Sequence, residues 1–342
     1  MTPISILVTG GAGFIGSHTV VALAEAGYRP VVLDDFSNSQ ASVLEGLQRI
    51  LGSEVPCYDR DCNDRPALLD IFQRENIRGV IHFAAFKAVG ESMMEPLRYY
   101  SNNLGSLLAL MEVMLETEVS DLIFSSSCTV YGEPAALPVT EESPVLPATS
   151  VYGNTKQVGE EILRDTVAAS KPLRVVSLRY FNPIGAHPSA HIGELPLGTP
   201  NNLVPFIAQT ASGVREQLTI FGGDYPTPDG TCIRDYIHVM DLAEAHVAAL
   251  QLLQQSSATH QYEVFNVGTG HGASVLEVVR MFEEMTGEKL NFSIGPRRAG
   301  DVVAVYADVA KSEEQLGWTA RRSLREALVD TWRWEQRLMR EK

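Results

Sequence analysis

Ile4-Ser5-Ile6-Leu7-Val8-Thr9 is an apolar strand pattern that runs directly into Gly10-Gly11-Ala12-Gly13-Phe14-Ile15-Gly16 and then into a helical pattern. A buried strand, a glycine turn and a helix in that order form the opening of a nucleotide-binding βαβ unit. Missing side chains let backbone N–H groups and the helix N-terminus approach a pyrophosphate. Two spacings fit: Gly11, Gly13 and Gly16 match the dinucleotide fingerprint, and Gly10, Gly13 and Gly16 give a three-residue interval. The helix is predicted to end at Gly27, and a second strand over 29–33 finishes at Asp34-Asp35, about eighteen residues past Gly16. An acid there suits a ribose diol and repels a 2′-phosphate, so the expected cofactor is NAD rather than NADP.

Further apolar runs at Val80-Ile81-His82-Phe83, Leu122-Ile123-Phe124-Ser125 and Val175-Val176-Ser177-Leu178 alternate with helical patterns over 93–118 and 152–169. This alternation predicts an α/β fold, a Rossmann-like doubly wound parallel sheet with ligands at the carboxyl ends of its strands. After Asn182 the pattern breaks into Pro- and Gly-containing segments, including 188–205 and 222–230, of the kind that form substrate loops. Residues 1–180 are therefore expected to hold the dinucleotide. Residues 181–342 are expected to form mainly a smaller α/β substrate lobe.

Tyr152 and Lys156 lie four residues apart in Ser150-Val151-Tyr152-Gly153-Asn154-Thr155-Lys156, on one face of a predicted helix. A tyrosine titrates near ~10, but a fixed cation beside it favours the phenolate, which can then take a proton from a hydroxyl. Ser127, at the end of the fifth predicted strand, is placed to hydrogen-bond a substrate oxygen, with Ser125 in support.

Four segments extend the pattern: Ser125-Ser126-Ser127-Cys128-Thr129-Val130-Tyr131-Gly132, Arg179-Tyr180-Phe181-Asn182-Pro183-Ile184-Gly185-Ala186-His187, Asn201-Asn202-Leu203, and Asp229-Gly230-Thr231-Cys232-Ile233-Arg234-Asp235. With the glycine loop and the Tyr-x-x-x-Lys pair, the chain resembles the extended short-chain dehydrogenase/reductase family, and within it the enzymes that interconvert UDP-galactose and UDP-glucose through a 4-keto sugar. The resemblance implies tightly held NAD, a UDP-sugar substrate and a homodimer, with part of the later chain returning to the first lobe. It implies Tyr152, Lys156 and Ser127 as the catalytic group. It assigns Gly10, Gly13, Phe14, Ile15, Gly16, Asp34, Asn38, Ser39, Asp61, Cys62, Phe83, Lys87 and Asn102 to the cofactor, together with Tyr152 and Lys156. To the substrate it assigns Ser127, Asn182, Asn202, Phe221, Arg234, Arg298, Asp301 and Val305, with the two arginines on the diphosphate and Phe221 under uracil. Relatives carry either a tyrosine or a smaller residue at the Val305 position, and the small group tolerates N-acetylated sugars. Valine therefore implies action on UDP-GlcNAc and UDP-GalNAc as well. A related 4,6-dehydratase needs an Asp-Glu pair directly after the catalytic Ser or Thr, and Cys128-Thr129 stands there instead.

A net charge of −15 argues against nonspecific nucleic-acid binding and leaves an anionic substrate to local arginines. The start of the chain lacks a signal pattern and no run of 18 apolar residues occurs, so a cytoplasmic protein without membrane partners is expected. Cys57, Cys62, Cys128 and Cys232 lack metal-ligand spacing and are expected to be buried reduced thiols, with no metal site.

Overall fold

A computed structural model describes residues 3–298 and 301–341. Ala299 and Gly300, inside the Arg298-to-Asp301 motif, lie outside the described residues. The first half alternates strands with helices, two helices in succession following β4: β1 (Ser5–Thr9), α1 (Phe14–Glu25), β2 (Arg29–Asp34), α2 (Ser42–Leu51), β3 (Cys57–Asp59), α3 (Arg65–Glu75), β4 (Ile77–His82), α4 (Val89–Met94), α5 (Pro96–Glu116), β5 (Asp121–Ser127), α6 (Val151–Ala168) and β6 (Arg174–Tyr180). There follow β7 (Asn182–Ile184), α7 (Leu203–Ala211), β8 (Leu218–Phe221), β9 (Ile233–His238), α8 (Val239–Gln255), β10 (Gln261–Val267), β11 (Gly272–Ser274), α9 (Val275–Thr286), β12 (Phe292–Gly295), β13 (Ala304–Val305) and α10 (Leu324–Glu341).

Seven parallel strands form the main sheet in the order β10-β6-β5-β4-β1-β2-β3. Alternate side chains of β1 feed opposite cores. Ile6 and Val8 join Val20, Leu250 and Phe265 on one face, whereas Leu7 joins Leu110, Leu163 and Val175 on the other. Strand order reverses between β1 and β4, which opens a crevice at their carboxyl ends, the place where doubly wound sheets take ligands. A smaller sheet centres on β9, with β7 and β13 parallel and β11 antiparallel to it, and β8 pairs with β12. Among the described residues no helix is long and apolar enough to cross a membrane.

The helix expected over 93–118 is two helices. Glu95, at φ −121° and ψ 54°, separates α4 from α5, and Pro96 opens the second. Proline disfavours helical backbone in the residue before it and suits a first helical turn. Of the cysteines, Cys62 and Cys232 are buried, but Cys57 and Cys128 are only partly so.

Backbone contact fixes the first crossover. A Cβ added at Gly16 would lie 2.2 Å from the carbonyl oxygen of Gly10. Gly16→Ala is therefore expected to lower unfolding stability by roughly 1–3 kcal/mol through overpacking. Denaturant unfolding checks this, and an unchanged midpoint would contradict the close contact.

Candidate active site

The glycine loop forms the floor of the crevice. Gly10 has φ +68°, and an added Cβ would lie 2.9 Å from Ala84 N. Its N–H donates to Leu33 O at 2.7 Å, tying the loop to β2. Gly13 opens α1 with no side-chain cap, and Phe14 and Ile15 stand half-buried in the first turn. The left-handed Gly10 and the Gly10–Gly16 contact favour the reading through Gly10, Gly13 and Gly16. An uncapped helix start over a loop without side chains fits a pyrophosphate.

Asp34, buried at the end of β2, accepts from Ala12 N at 2.9 Å, Phe36 N at 3.0 Å and Ser39 Oγ at 2.8 Å. A carboxylate has about four acceptor positions, so one remains for a ribose hydroxyl. Burial raises its pKa, and these donors pull it back. Asn38 is exposed on the same loop. Asp61 is exposed beyond β3 and accepts from Asn63 N at 2.8 Å, while Cys62 lies buried beneath it. Phe83 leaves β4 with its ring 4.7 Å from His246. Half-buried Asn102 donates to Asn103 Oδ1 at 3.0 Å. Lys87 is exposed and sits 3.6 Å from Glu194.

Ser150 caps α6 by accepting from Gly153 N at 3.1 Å, which sets the helix start one residue before Tyr152. Lys156 is buried, its Nζ donating to Ser125 O at 2.6 Å and lying 5.9 Å from the centre of the Tyr152 ring. Ser127 ends β5 and accepts from Thr129 N at 3.2 Å. Burial pushes the Tyr152 phenol up to about 12, with the Ser127 hydroxyl pulling it down. Burial also draws the Lys156 ammonium down to about 7. Desolvation thus dominates at both groups, each charged form is disfavoured, and the expected lowering of the phenol by Lys156 does not emerge. Cys128, beside Ser127, is pushed up to about 12 by burial and is a poor nucleophile.

A second cluster forms around β9. Arg234 Nη1 donates to Ile233 O at 2.8 Å, and Nη2 lies 3.8 Å from Asp301. Asp301 accepts a fork from Arg298 at 2.8 and 3.2 Å, and the Arg298 guanidinium lies 5.7 Å from the Phe221 ring centre. The neighbouring Asp235, fully buried, accepts from Thr269, Gly270 and Ala307 N–H groups and so anchors the strand. Val305 pairs in register with Arg234 and packs with Phe181, Tyr131 and Ala307, against partly buried Cys128. Asn182, on β7, is half-buried opposite Tyr236. Asn202 is exposed and donates to Glu194 Oε1 at 2.7 Å, the carboxylate that also faces Lys87.

Several neighbours of these groups escaped the sequence reading. Tyr180 shares a hydrogen bond with Ser125 Oγ, and Thr9 Oγ1 with His82 Nδ1 at 2.8 Å. Glu160 pairs with Arg179 at 2.6 Å in the interior. Only Glu160 had a local signal, its position four residues after Lys156.

The chain is 51% identical over 330 residues to a UDP-glucose 4-epimerase of Neisseria meningitidis serogroup A, covering 96% of each. A solved UDP-glucose 4-epimerase of Stenotrophomonas maltophila, with bound NAD and formylated UDP-arabinopyranose, superposes with a TM-score of 0.96 at 46% identity, over 99% of this chain and 100% of that one. The UDP-Glc/GlcNAc 4-epimerase of Campylobacter jejuni superposes with a TM-score of 0.82 at 37% identity, over 98% and 99%. Residues 6–268, from β1 through the sheet's last strand, match the model of the NAD dependent epimerase/dehydratase family, and the chain belongs to that family.

Proposed function

We propose that this protein catalyses the reversible C4 epimerisation of UDP-glucose and UDP-galactose through a 4-keto sugar, with NAD as cofactor, and acts on the N-acetylated counterparts as well. The observation that carries this reading is the convergence of Ser127 and the Tyr152–Lys156 pair near the carboxyl end of the sheet that bears the glycine loop. Residues 1–180 would hold the cofactor and 181–342 mainly the UDP-sugar. The uncapped start of α1, the remaining acceptor position on Asp34 and the loop around Gly10 suit NAD. Asn38, Ser39, Asp61, Cys62, Phe83, Lys87 and Asn102 would complete that binding surface.

When bound, NAD supplies a reversible hydride acceptor for the sugar C4 and a cationic ring. Tyr152 takes the C4 hydroxyl proton and later returns it, and Ser127 Oγ hydrogen-bonds the sugar oxygen as its charge develops. Lys156, in its protonated form, places a positive charge beside the phenolate. Arg234 and Arg298, aligned by Asp301, would hold the diphosphate, with Phe221 against uracil and Asn182 and Asn202 completing the contacts. Firm anchoring at the nucleotide leaves the hexose free to present either face.

Support for a homodimer comes from Met94 and Leu97 at the α4–α5 junction, 81% and 83% exposed, apolar side chains that a second copy would cover. Four unpaired cysteines suit a reducing cytoplasm.

Incubating the protein with UDP-galactose and separating the products by chromatography tests the reading, which fails if no UDP-glucose forms. Tyr152→Phe is expected to lower kcat about a hundred- to ten-thousandfold with little change in KM, since the hydroxyl acts in the chemical step. A parallel loss of substrate binding would remove it from that role. Val305→Tyr is expected to suppress the N-acetyl reaction about ten- to a hundredfold while sparing the plain sugars, because a ring there clashes with an acetamido group. Equal loss of both activities, measured side by side, would show that Val305 is not the gate.

A further inference from the structure

Lys156 has a buried acidic neighbour one turn along its own helix. Glu160 is 4% exposed, and its carboxylate accepts a fork from Arg179 on β6, Nε at 2.9 Å and Nη2 at 2.6 Å. The same carboxylate accepts from Ser126 Oγ at 2.5 Å. Ser126 stands between Ser125, whose carbonyl receives Lys156 Nζ, and Ser127. One carboxylate therefore grips both the helix that carries Tyr152 and Lys156 and the strand end that carries Ser127. Arg179 is held in turn: Nη1 donates to the Tyr131 hydroxyl at 3.1 Å, and that hydroxyl donates to Asn266 Oδ1 at 2.6 Å.

We propose that Glu160, clamped by Arg179, is a positioning residue for the reaction: it sets the register of α6 against β5 and supplies the anion that keeps the Lys156 ammonium charged. The proposal rests on the epimerase reading above. A buried ion pair is in general weak support for stability, because desolvation offsets the attraction, so its use here is better sought in orientation and charge.

The surroundings of Lys156 leave that task to Glu160. Facing it are His82 on β4, held neutral by burial at about 3, the Tyr152 phenol on α6, pushed up by burial, and the Phe124 ring on β5, its centre 5.0 Å from Nζ; the Tyr180 phenol on β6, next to Tyr152, is pushed up as well. Tyr131 follows β5, and Tyr262 lies on β10. On the helix itself, Tyr100 and Asn103 of α5 bond Asn154 and Thr155, and Glu91 of α4 is committed to Tyr99 and Arg98. Burial lowers the ammonium's affinity for its proton, and the charge of Glu160 raises it.

The test is the pH dependence of kcat and KM on UDP-galactose for the wild type, E160Q, E160D and the double variant E160Q/R179M. Removing the anion makes Lys156 lose its proton more readily, so the alkaline limb of the kcat profile is expected to move to lower pH in E160Q by about one unit. KM should change little, because the nucleotide is anchored elsewhere. E160D keeps the charge and is expected to retain the wild-type limb, with a lower kcat from its shorter reach. Should E160Q fail to fold, E160Q/R179M leaves no unpaired buried charge and is expected to show a smaller displacement in the same direction, because the Arg179 cation is removed with the anion. A limb that stays in place, with kcat reduced equally at every pH, would make the pair a fold staple and overturn the proposal. Inactive wild type would instead overturn the epimerase reading, and the proposal with it.

Discussion

Burying the Lys156 ammonium is the constraint on which the rest of the site depends. An amine removed from water keeps its charge only if oxygens and an anion replace its hydration. The carbonyl of Ser125 and the Glu160–Arg179 pair do so, and each requires α6 to lie at one height along β5. That height is fixed from outside as well: Ser150 caps the helix at one end, and Gln157 donates to the carbonyls of Val130 and Leu146. The placement of Tyr152 and Lys156 is thus held by backbone carbonyls and a strand register.

The sheet brings the two halves of the site to one crevice. Because strand order reverses between β1 and β4, the glycine loop, the exit of β4 and the end of β5 all open on the same edge. The Arg234 cluster sits on a separate small sheet, and β7 follows β6 directly, joining the two layers through its pairing with β9. The groups proposed for the phosphates and for proton transfer therefore rest on different rigid elements, a separation suited to gripping a nucleotide while its sugar remains loosely held.

Long periodic segments and local motifs were legible in the sequence. The strand before Gly10, the acid at Asp34, and the Tyr152–Lys156 spacing are each dictated by contacts within a few residues or one helix turn, so the sequence exposes them. The break before Pro96 was equally local, but the apolar spacing runs through it and hides it. The smaller sheet was not legible, since β7 and β13 are three and two residues long and exist only through pairing with β9. The partners of Glu160 and Glu194 are set by tertiary crossing, with Glu160 on α6 and Arg179 on β6, and Lys87 more than a hundred residues from its acid. No pattern of residue types marks such pairs. Desolvation of Tyr152 was likewise invisible, because the sequence names the cation but not the burial that opposes it.

The central claim is that the Tyr152–Lys156 pair handles the hydroxyl proton while the C4 hydrogen never reaches water. Isotope tracing with UDP-galactose deuterated at C4 tests it most directly. The account predicts UDP-glucose that retains the deuterium at C4, with none released to solvent over many turnovers. Deuterium appearing in water, or solvent hydrogen entering C4, would contradict it.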